Sequence, residues 1–308
     1  MMATLDPGNL VGSLPEVRGR LIPDAPLAPQ SWFRVGGPGE LLFRPADPED
    51  LALLLEAWPT ELPLTVLGAA SNVIIRDGGI PGLVIRLARG FAEVVVEPDG
   101  LIAGAAMLDV ILAEHAAAAG LAGLEFMSGI PGTLGGAVAM NAGAYGGDVS
   151  QVLDWIEIVT GDGDLVRLAA KDLHLSYRHA QLPVRSVVVR ARFRASPGDP
   201  DTIAGRMARI KSAREATQPI RSRTGGSTFR NPPDMKAWEL IEAAGCRGMM
   251  LGGAQVSEKH CNFLLNLGEA TAADLENLGE EVRRRVREAS GVTLEWEIKR
   301  IGKPGVTS

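Results

Sequence analysis

The chain has 308 residues, 46% of them hydrophobic and 22% charged, which excludes a disordered chain and leaves room for about two domains. Its net charge of −6, from 31 basic and 37 acidic residues, provides no overall attraction to nucleic acid or anionic lipid. Only two cysteines are present, Cys246 and Cys261, and the N-terminus has no basic region followed by an apolar run, so we expect a cytoplasmic protein without disulfides or membrane insertion.

Short strands and two helices are predicted along the first two thirds of the chain. Asp47, an N-cap residue followed by Pro48, predicts a helix that runs to about Trp58. A second helix is predicted over 108–119, where Gly120 provides a left-handed cap. Short β-branched runs separated by glycine predict strands at 63–67, 73–76, 83–87, 91–96, 101–105, 154–160, 165–168 and 186–195. The strands at 91–96 and 101–105, joined by Pro98-Asp99-Gly100, are predicted to form a hairpin. This pattern is typical of a mixed α+β unit.

A segment rich in Pro, Gly and Ser at 195–200 predicts a domain boundary. Beyond it, helices are predicted over 201–217, 235–244 and 271–290, and strands over 262–267 and 292–301. In the last helix Thr271 and Asp274 form a capping pair, and Gly291 ends it. We therefore divide the chain into a lead-in over 1–27, a main region over 28–195 and a C-terminal domain over 196–308.

Two loops of small residues point to a ligand with a diphosphate group. The segment 128–136, SGIPGTLGG, places glycines where successive backbone N–H groups can face one concavity, with a helix start just beyond. The first loop in chain order is 67–72, which lies between two strands, and 128–136 is the second loop. No Rossmann or Walker motif occurs, so another fold would have to hold a nucleotide. A glycine cluster alone is equally consistent with a turn that only serves packing.

Three further positions carry possible chemistry. Ser227 follows two glycines, but Phe229 stands where a nucleophile elbow needs glycine, so a hydrolase triad is not supported. Arg178 lies in an irregular stretch, and Glu297 shares one face of the predicted final strand with Glu295. Taken singly, each is explained more simply as part of a surface turn or as an ordinary solvated or ion-paired side chain. The four histidines lack metal-ligand spacing, and we expect no metal site.

Seven segments carry recognisable motifs in a fixed order: 32–38, 68–72 with 77–79, 129–136 with 140–146, 177–178, 226–232, 252–260 and 294–302. Taken together, they resemble the UDP-N-acetylenolpyruvoylglucosamine reductases, which are flavoenzymes of peptidoglycan precursor synthesis. One such motif is weak evidence, whereas seven in order are specific. The chain is similar to the shorter subtype, since no long insertion lies between Arg178 and Gly225. It departs from the family pattern at Ala69-Ala70, where glycine is more usual, and at Trp296, where proline is common.

The resemblance implies an α+β fold, with a two-part FAD-binding region of the vanillyl-alcohol-oxidase type over 28–195 and a smaller α+β substrate-binding domain over 196–308. It implies NADPH-dependent, FAD-mediated reduction of UDP-N-acetylglucosamine enolpyruvate to UDP-N-acetylmuramate, with NADPH as the hydride-donating co-substrate. By family position Ser227 donates the proton, while Arg178 and Glu297 meet the substrate carboxylate. The residues expected at FAD are Gly68, Ala69, Ala70, Ser71, Asn72, Gly129, Pro131, Gly132, Thr133, Gly136 and Ala137, and those expected at the sugar nucleotide are Asn231, Arg221, Arg223 and His260.

Two other functions compete with this reading. An FAD oxidase of the same superfamily would use O₂ and would reoxidise in air. A silent nucleotide-sugar binding protein would be colourless when purified. The two small-residue loops, together with Ser227, Arg178 and Glu297, count against both alternatives.

Overall fold

The structure is a computed structural model that describes Gly12 and residues 14–305. The chain packs into two compact units, each assembled from separate stretches of sequence. Unit 1 comprises the described residues up to Ala25 together with Glu40–Ala69 and Gly82–Ser212. Unit 2 comprises Pro26–Gly39, Ala70–Pro81 and the described residues from Ala213 onward. The domain boundaries expected from the sequence follow chain order and stay a prediction.

Nineteen short strands and seven α-helices are interspersed along the described residues. The strands are β1 Arg20–Pro26, β2 Pro38–Arg44, β3 Leu64–Val66, β4 Val73–Ile75, β5 Ile80–Ile85, β6 Val94–Glu97, β7 Gly100–Gly104, β8 Leu121–Ala122, β9 Gly143–Ala144, β10 Gly147–Asp148, β11 Leu153–Val159, β12 Leu165–Ala169, β13 Val187–Arg194, β14 Ser196–Pro197, β15 Arg223–Thr224, β16 Met250–Leu251, β17 Ala254–Val256, β18 Leu264–Asn266 and β19 Lys299–Ile301. The α-helices are α1 Pro48–Ala57, α2 Asp109–Ala118, α3 Leu134–Ala139, α4 Val149–Val152, α5 Pro200–Thr217, α6 Ala237–Ala243 and α7 Ala272–Ser290. Single 3₁₀ turns lie at Ala28–Gln30, Arg89–Phe91, Glu125–Gly129 and Ala170–Leu173.

Helix ends follow the local signals in the sequence. The Asp47 side chain accepts a hydrogen bond from the Asp50 amide at 2.9 Å and so caps α1. Thr271 and Asp274 form a reciprocal capping box at the start of α7, and Gly291 ends that helix with φ 75°. These predictions are confirmed, because each depends on residues only a few positions apart.

Unit 1 contains two larger sheets, two short two-stranded pairs (β9 with β10 and β8 with β14) and two apolar clusters. The first sheet has the strand order β12-β11-β13-β7-β6, and all its pairings are antiparallel. The predicted hairpin joins β6 to β7, with Glu97 opposite Gly100. The second sheet has the order β1-β2-β5-β3, with β3 parallel to β5. Leu101, Ile156 and Phe193 are among the buried residues of the first cluster, which supports the loop after β7.

Unit 2 contains a four-stranded sheet of order β15-β18-β17-β16, on which α7 packs. Its core includes Phe33, Phe229 and Leu278, all buried. A separate parallel pair joins β19 to β4, with Arg300 opposite Ile74. This pair brings the end of the chain beside residues 70–81.

The predicted strand over 292–301 is wrong for most of its length, because only Lys299–Ile301 finds a partner strand. Trp296 makes a single isolated bridge to Phe229. Strands β1 and β2 were not predicted. Strand β1 lies in the expected lead-in, of which residues 1–11 and 13 lie outside the described part.

The described part of the chain contains neither a helix that could span a membrane nor a cluster of metal-ligating side chains. No helix in these ranges combines the length and apolar character of a membrane span. Among the same residues, no three His, Cys, Asp or Glu side chains cluster as metal ligands do.

Candidate functional site

The two small-residue loops meet within unit 1. A Cβ placed on Gly68 would overlap Thr133 Oγ1, so the first loop lies directly against the second. A Cβ on Gly136 would lie 3.8 Å from the same oxygen. The structure therefore brings together three of the residues expected at the cofactor, and the absence of a side chain at Gly68 is what permits the contact.

Backbone hydrogen bonds hold the second loop, but two of its backbone amides do not donate in any of them. The Asp109 amide donates to Gly132 O at 3.1 Å, and the Leu134 amide donates to Met107 O at 2.9 Å. Leu108 and Thr133 form the bridge between these bonds. In the described part of the chain, the amides of Gly132 and Thr133 donate to no other group. Two successive donors without an internal acceptor fit an anionic group such as a diphosphate.

The remaining expected cofactor residues of this loop have different surroundings. Pro131 is half-buried, and Ala137 is buried in α3. A Cβ on Gly129 would lie 2.8 Å from the Tyr145 ring, so this glycine is required by packing. Ala69 ends the part of the first loop that belongs to unit 1.

The other half of the first loop, residues 70–72, belongs to unit 2. Ala70 has φ 51°, a left-handed conformation that is uncommon without glycine. The Asn72 side chain donates to Glu297 O at 3.2 Å, and Asn72 O accepts from the Lys299 amide at 3.1 Å. Ser71, between them, is half-buried. This half of the loop therefore packs on the segment that carries Glu297.

Ser227 and Glu297 lie on neighbouring segments of unit 2. The Glu297 amide donates to Thr228 O at 2.8 Å, and a Cβ on Gly226 would lie 3.7 Å from Asn72 Oδ1. Both Ser227 and Glu297 are half-buried. Two of the three predicted catalytic residues are thus brought together, with Asn72 beside them.

The buried Asn262, which was not predicted from the sequence, holds residues 227–229, called here the Ser227 segment. Asn262 Oδ1 accepts from the Phe229 amide at 3.0 Å, and its Nδ2 donates to Phe229 O at 2.9 Å. Asn262 O also accepts from the Thr228 amide at 2.8 Å. Asn262 is 4% exposed, and the only signal in the sequence was a polar residue at the head of an apolar run.

Trp296, the departure from the family pattern, docks the Glu297 segment on α7. Its Nε1 donates to Glu280 Oε1 at 2.8 Å, and its ring lies where a Cβ on Gly279 would be. The Phe229 ring lies 5.1 Å from it. Burial raises the pKa of Glu280, but hydrogen bonds from Trp296 and Arg283 outweigh this and lower that pKa overall.

Arg178 occupies the tip of a tight turn in unit 1. Ser176 and His179 exchange two backbone hydrogen bonds of 3.0 Å, and Arg178 has φ 55°. The buried Asn141 holds this turn, since its Nδ2 donates to Ser176 O at 2.9 Å and its Oδ1 accepts from the Ser150 amide at 2.8 Å. Asn141 lies in one of the seven family segments, but its position in the sequence did not indicate this role.

The four residues expected at the sugar nucleotide lie in unit 2 and have unlike surroundings. Asn231 Oδ1 accepts from the Ala237 amide at 3.0 Å, at the start of α6. Arg223 donates to Gly268 O at 3.1 Å. Arg221 lines a cavity of about 460 Å³, together with Lys259 among others.

His260 is partly buried beside two rings. Its ring centroid lies 4.9 Å from that of Phe263 and 6.5 Å from that of Trp238. Its Nδ1 accepts from the Asn262 amide at 3.3 Å. Burial lowers the pKa of His260, so the neutral imidazole that this hydrogen bond needs is favoured.

The chain matches two family descriptions. An FAD binding domain matches over residues 39–169, and the C-terminal domain of UDP-N-acetylenolpyruvoylglucosamine reductase matches over 218–301. The UDP-N-acetylenolpyruvoylglucosamine reductase of Acidiphilium cryptum is 65% identical over 304 residues, which is 99% of this chain and 98% of that protein. The enzyme of the same name from Granulibacter bethesdensis is 65% identical over 94% of this chain and 93% of its own.

Solved structures agree with this assignment. The crystal structure of UDP-N-acetylenolpyruvylglucosamine reductase from Thermus caldophilus superposes with a TM-score of 0.80 at 36% identity, over 93% of this chain and 100% of that one. The 6-hydroxy-D-nicotine oxidase of Arthrobacter nicotinovorans shares the fold alone, with a TM-score of 0.55 at 12% identity over 91% of this chain and 88% of that one. The predicted fold class is confirmed. The chain is an FAD-dependent oxidoreductase and belongs to the UDP-N-acetylenolpyruvoylglucosamine reductase family.

Proposed function

We propose that the protein reduces UDP-N-acetylglucosamine enolpyruvate to UDP-N-acetylmuramate with NADPH, through bound FAD, as a step of peptidoglycan precursor synthesis. The observation that carries the proposal is the pairing of the Ser227 and Glu297 segments in unit 2, through the 2.8 Å hydrogen bond from the Glu297 amide to Thr228 O. This bond brings the backbone beside Ser227 next to that of Glu297, which supports a site where a hydroxyl protonates a substrate whose carboxylate is bound nearby. The names of the close relatives support the choice of substrate.

The cofactor would be held by backbone amides of the two small-residue loops. The contact of Gly68 with Thr133 and the two amides without internal acceptors support this assignment. FAD, when bound, supplies a hydride, which no amino-acid side chain can donate. The proposed contacts are the positions expected from the sequence: Gly68, Ala69, Ala70, Ser71, Asn72, Gly129, Pro131, Gly132, Thr133, Gly136 and Ala137.

Arg178 and Glu297 are proposed to bind the substrate carboxylate. When hydride reaches one carbon of the enolpyruvyl double bond, negative charge spreads onto that carboxylate as an enolate, and fixed donors there lower the barrier. The guanidinium of Arg178 offers a planar fork of donors that matches a carboxylate. A carboxyl beside another carboxylate favours its protonated form, which would allow Glu297 to donate.

Ser227 is proposed to give the proton to the neighbouring carbon. A hydroxyl is a weak acid, so it protonates only a strongly basic centre, and an enolate is such a centre. One hydride and one proton add across the double bond, which leaves the saturated lactyl ether and converts NADPH to NADP⁺. Few other substrates would make a serine useful at this position.

The sugar nucleotide is proposed to be bound by Asn231, Arg221, Arg223 and His260. Arg221 has the most direct support, because it lines a cavity in unit 2 that is large enough for part of a nucleotide. The proposal needs only small-molecule partners, and a cytoplasmic location belongs to it because NADPH and the nucleotide sugar are cytoplasmic reactants.

Anaerobic titration of the purified protein with NADPH, followed by addition of UDP-N-acetylglucosamine enolpyruvate, tests the proposal. We expect a yellow protein whose flavin absorption bleaches with NADPH and returns when the substrate is added. Rapid return in air without substrate would indicate an oxidase. A colourless protein that fails to take up FAD would indicate a binding protein.

A further inference from the structure

Asp109, the first residue of α2, is a buried carboxyl that the proposed reaction does not use. Its exposure is 0%, and neither carboxyl oxygen has a hydrogen-bond partner among the described residues. A buried polar group without a partner is costly, and native structures contain few of them. Asp109 therefore needs an explanation from its surroundings.

The other buried acids of unit 1 show what satisfied carboxyls look like in this protein. Asp50 accepts from the amides of Gly19 and Ala46 at 2.8 and 2.9 Å. Glu125 pairs with Arg206 at 3.2 Å, and Glu157 pairs with two arginines. Within the described chain Asp109 is the exception among four buried acids.

The Asp109 carboxyl lies against the loop assigned to the FAD diphosphate. Its Oδ2 is 2.7 Å from the place that a Cβ on Gly132 would take, and its own amide donates to Gly132 O at 3.1 Å. The φ of Gly132 is outside the left-handed region, so the backbone would accept a side chain there and the carboxyl is what prevents one. The Asp109 carboxyl thus fills the space next to Gly132, one of the two residues whose amides are assigned to the diphosphate.

Among the described residues, no cation pairs with this carboxyl. The elements that pack on α2 include β6, β7, β8 and the turn Glu125–Gly129, and their charged side chains are engaged: Glu125 with Arg206, and Glu97 with Arg192. On α2 itself Glu114 and His115 are exposed. Burial raises the pKa of Asp109 well above its ordinary value. A carboxylate here would also set negative charge behind a site for an anion.

We propose that Asp109 is a positioning residue for the diphosphate loop: as an uncharged carboxylic acid it holds Gly132 and Thr133 in the conformation that binds an anionic diphosphate, and as a carboxylate it weakens that binding. The inference rests on the assignment of this loop to FAD. Its consequence is that FAD affinity depends on pH through a group that does not touch the cofactor.

The test measures how the dissociation constant of FAD changes from neutral to alkaline pH. FAD is first removed from the protein and then titrated back, and flavin fluorescence reports the binding at each pH. Ionisation of one buried group behind the loop is expected to weaken binding by about ten- to hundredfold in the wild type. Asp109→Asn has the same shape and no ionisable proton, so it should keep the neutral-pH affinity and lose the alkaline fall. Asp50→Asn, which removes another buried acid, should retain the wild-type pH profile.

Two results would overturn the inference: an Asp109→Asn variant with the same alkaline fall as the wild type, or one that binds FAD far more weakly at neutral pH.

Gly132→Ala gives a second measurement if Asp109→Asn does not fold. The new methyl group should weaken FAD binding about tenfold by overpacking, and Asp109→Ala in the same chain should recover part of the loss. Independent effects of these two changes would count against the inference. Because the readout is FAD affinity, a protein that binds FAD but fails to reduce the substrate would refute the proposed function alone.

Discussion

The two small-residue loops, where they meet in unit 1, and the Ser227 segment of unit 2 are built in opposite ways. At Gly68 and Gly132 the loops depend on missing side chains, because an added Cβ would meet Thr133 or Asp109. The Ser227 segment depends on side chains that are present, since Asn262 satisfies both backbone groups of Phe229. Adding atoms should therefore damage the loops, whereas removing hydrogen-bonding groups should damage the Ser227 segment.

The largest expected effect is that of Ser227→Ala, which removes the proposed proton donor without changing the backbone. The rate of flavin reoxidation by substrate should fall by about 10²- to 10⁴-fold, while flavin reduction by NADPH stays close to the wild-type rate. Anaerobic stopped-flow absorption of the two half-reactions measures both rates. The selective loss follows because the hydroxyl acts only when a proton is delivered to the substrate.

Ser186→Ala is the matched control, since its hydroxyl donates to Pro183 O on the exposed surface of unit 1. It should leave both half-reactions unchanged. A Ser227→Ala protein with a normal second half-reaction would remove Ser227 from the mechanism, and would leave the FAD assignment untouched.

Asn262→Ala should give the next largest effect, because it leaves two buried backbone groups of Phe229 without partners. We expect the free energy of unfolding to fall by about 2–4 kcal/mol, together with a slower substrate half-reaction. Denaturant unfolding of the FAD-bound protein measures the first quantity. Asn277→Ala, at an exposed position of α7, should change stability little. Equal losses for the two variants would show that Asn262 does not hold the segment.

Gly68→Ala tests the opposite construction. A Cβ at this position overlaps Thr133 Oγ1, and such overpacking costs about 1–3 kcal/mol. If the cost falls on the loop that binds FAD, the dissociation constant of FAD should rise about ten- to hundredfold. Gly205→Ala is the control, because a Cβ on Gly205 in α5 would meet nothing within 4 Å. If Gly68→Ala binds FAD like the wild type, the loops tolerate added atoms and the contrast between the two regions fails.

Sequence reasoning found the features that depend on residues close together in the chain. The capping box of α7 and the hairpin of β6 and β7 were predicted because a few neighbouring residues determine them. The length of the final strand was not, because alternation in 292–298 cannot show whether a partner strand exists, and only β19 pairs with β4.

The candidate site was divided in the same way. Motif order indicated Ser227, Arg178 and Glu297, but neither composition nor spacing indicated the asparagines that position their backbones. Asn262 and Asn141 act on segments 33 and 35 residues away in sequence, and a lone asparagine carries no sign of such a partner. Asp109 was missed for a related reason, since an acid at a helix start is ordinarily an exposed N-terminal charge.

Trp296→Phe should have a smaller effect and distinguishes packing from hydrogen bonding on the unit 2 side. Phenylalanine keeps a ring against Gly279 but loses the Nε1 donor to Glu280, so we expect about 0.5–1.5 kcal/mol lower stability. Trp155→Phe, in unit 1, is the control. If Trp296 docks the Glu297 segment, the substrate half-reaction should slow only in Trp296→Phe, and equal rates in both variants would contradict this.

The smallest expected effect is a pH dependence of stability through His260. The pKa of His260 is lowered in the folded protein by burial, so the unfolded chain binds a proton first as the pH falls through about 6.5. The stability that the buried neutral imidazole contributes is therefore complete above that range and is lost towards acid pH. Protonation of His260 Nδ1 also removes the acceptor of the Asn262 amide, which lies 3.3 Å away. Because Asn262 holds the Ser227 segment, that segment should be weakened as well.

His260→Gln should flatten part of the fall in the free energy of unfolding between about pH 8 and 5, measured by denaturant titration at each pH. His115→Gln, at an exposed position of α2, should keep the wild-type slope. Parallel curves for wild type and His260→Gln would assign the slope to other groups. A flatter curve for His260→Gln would show that the stability of the Ser227 segment depends on the protonation state of His260. The second loop is inferred to depend in the same way on the protonation state of Asp109.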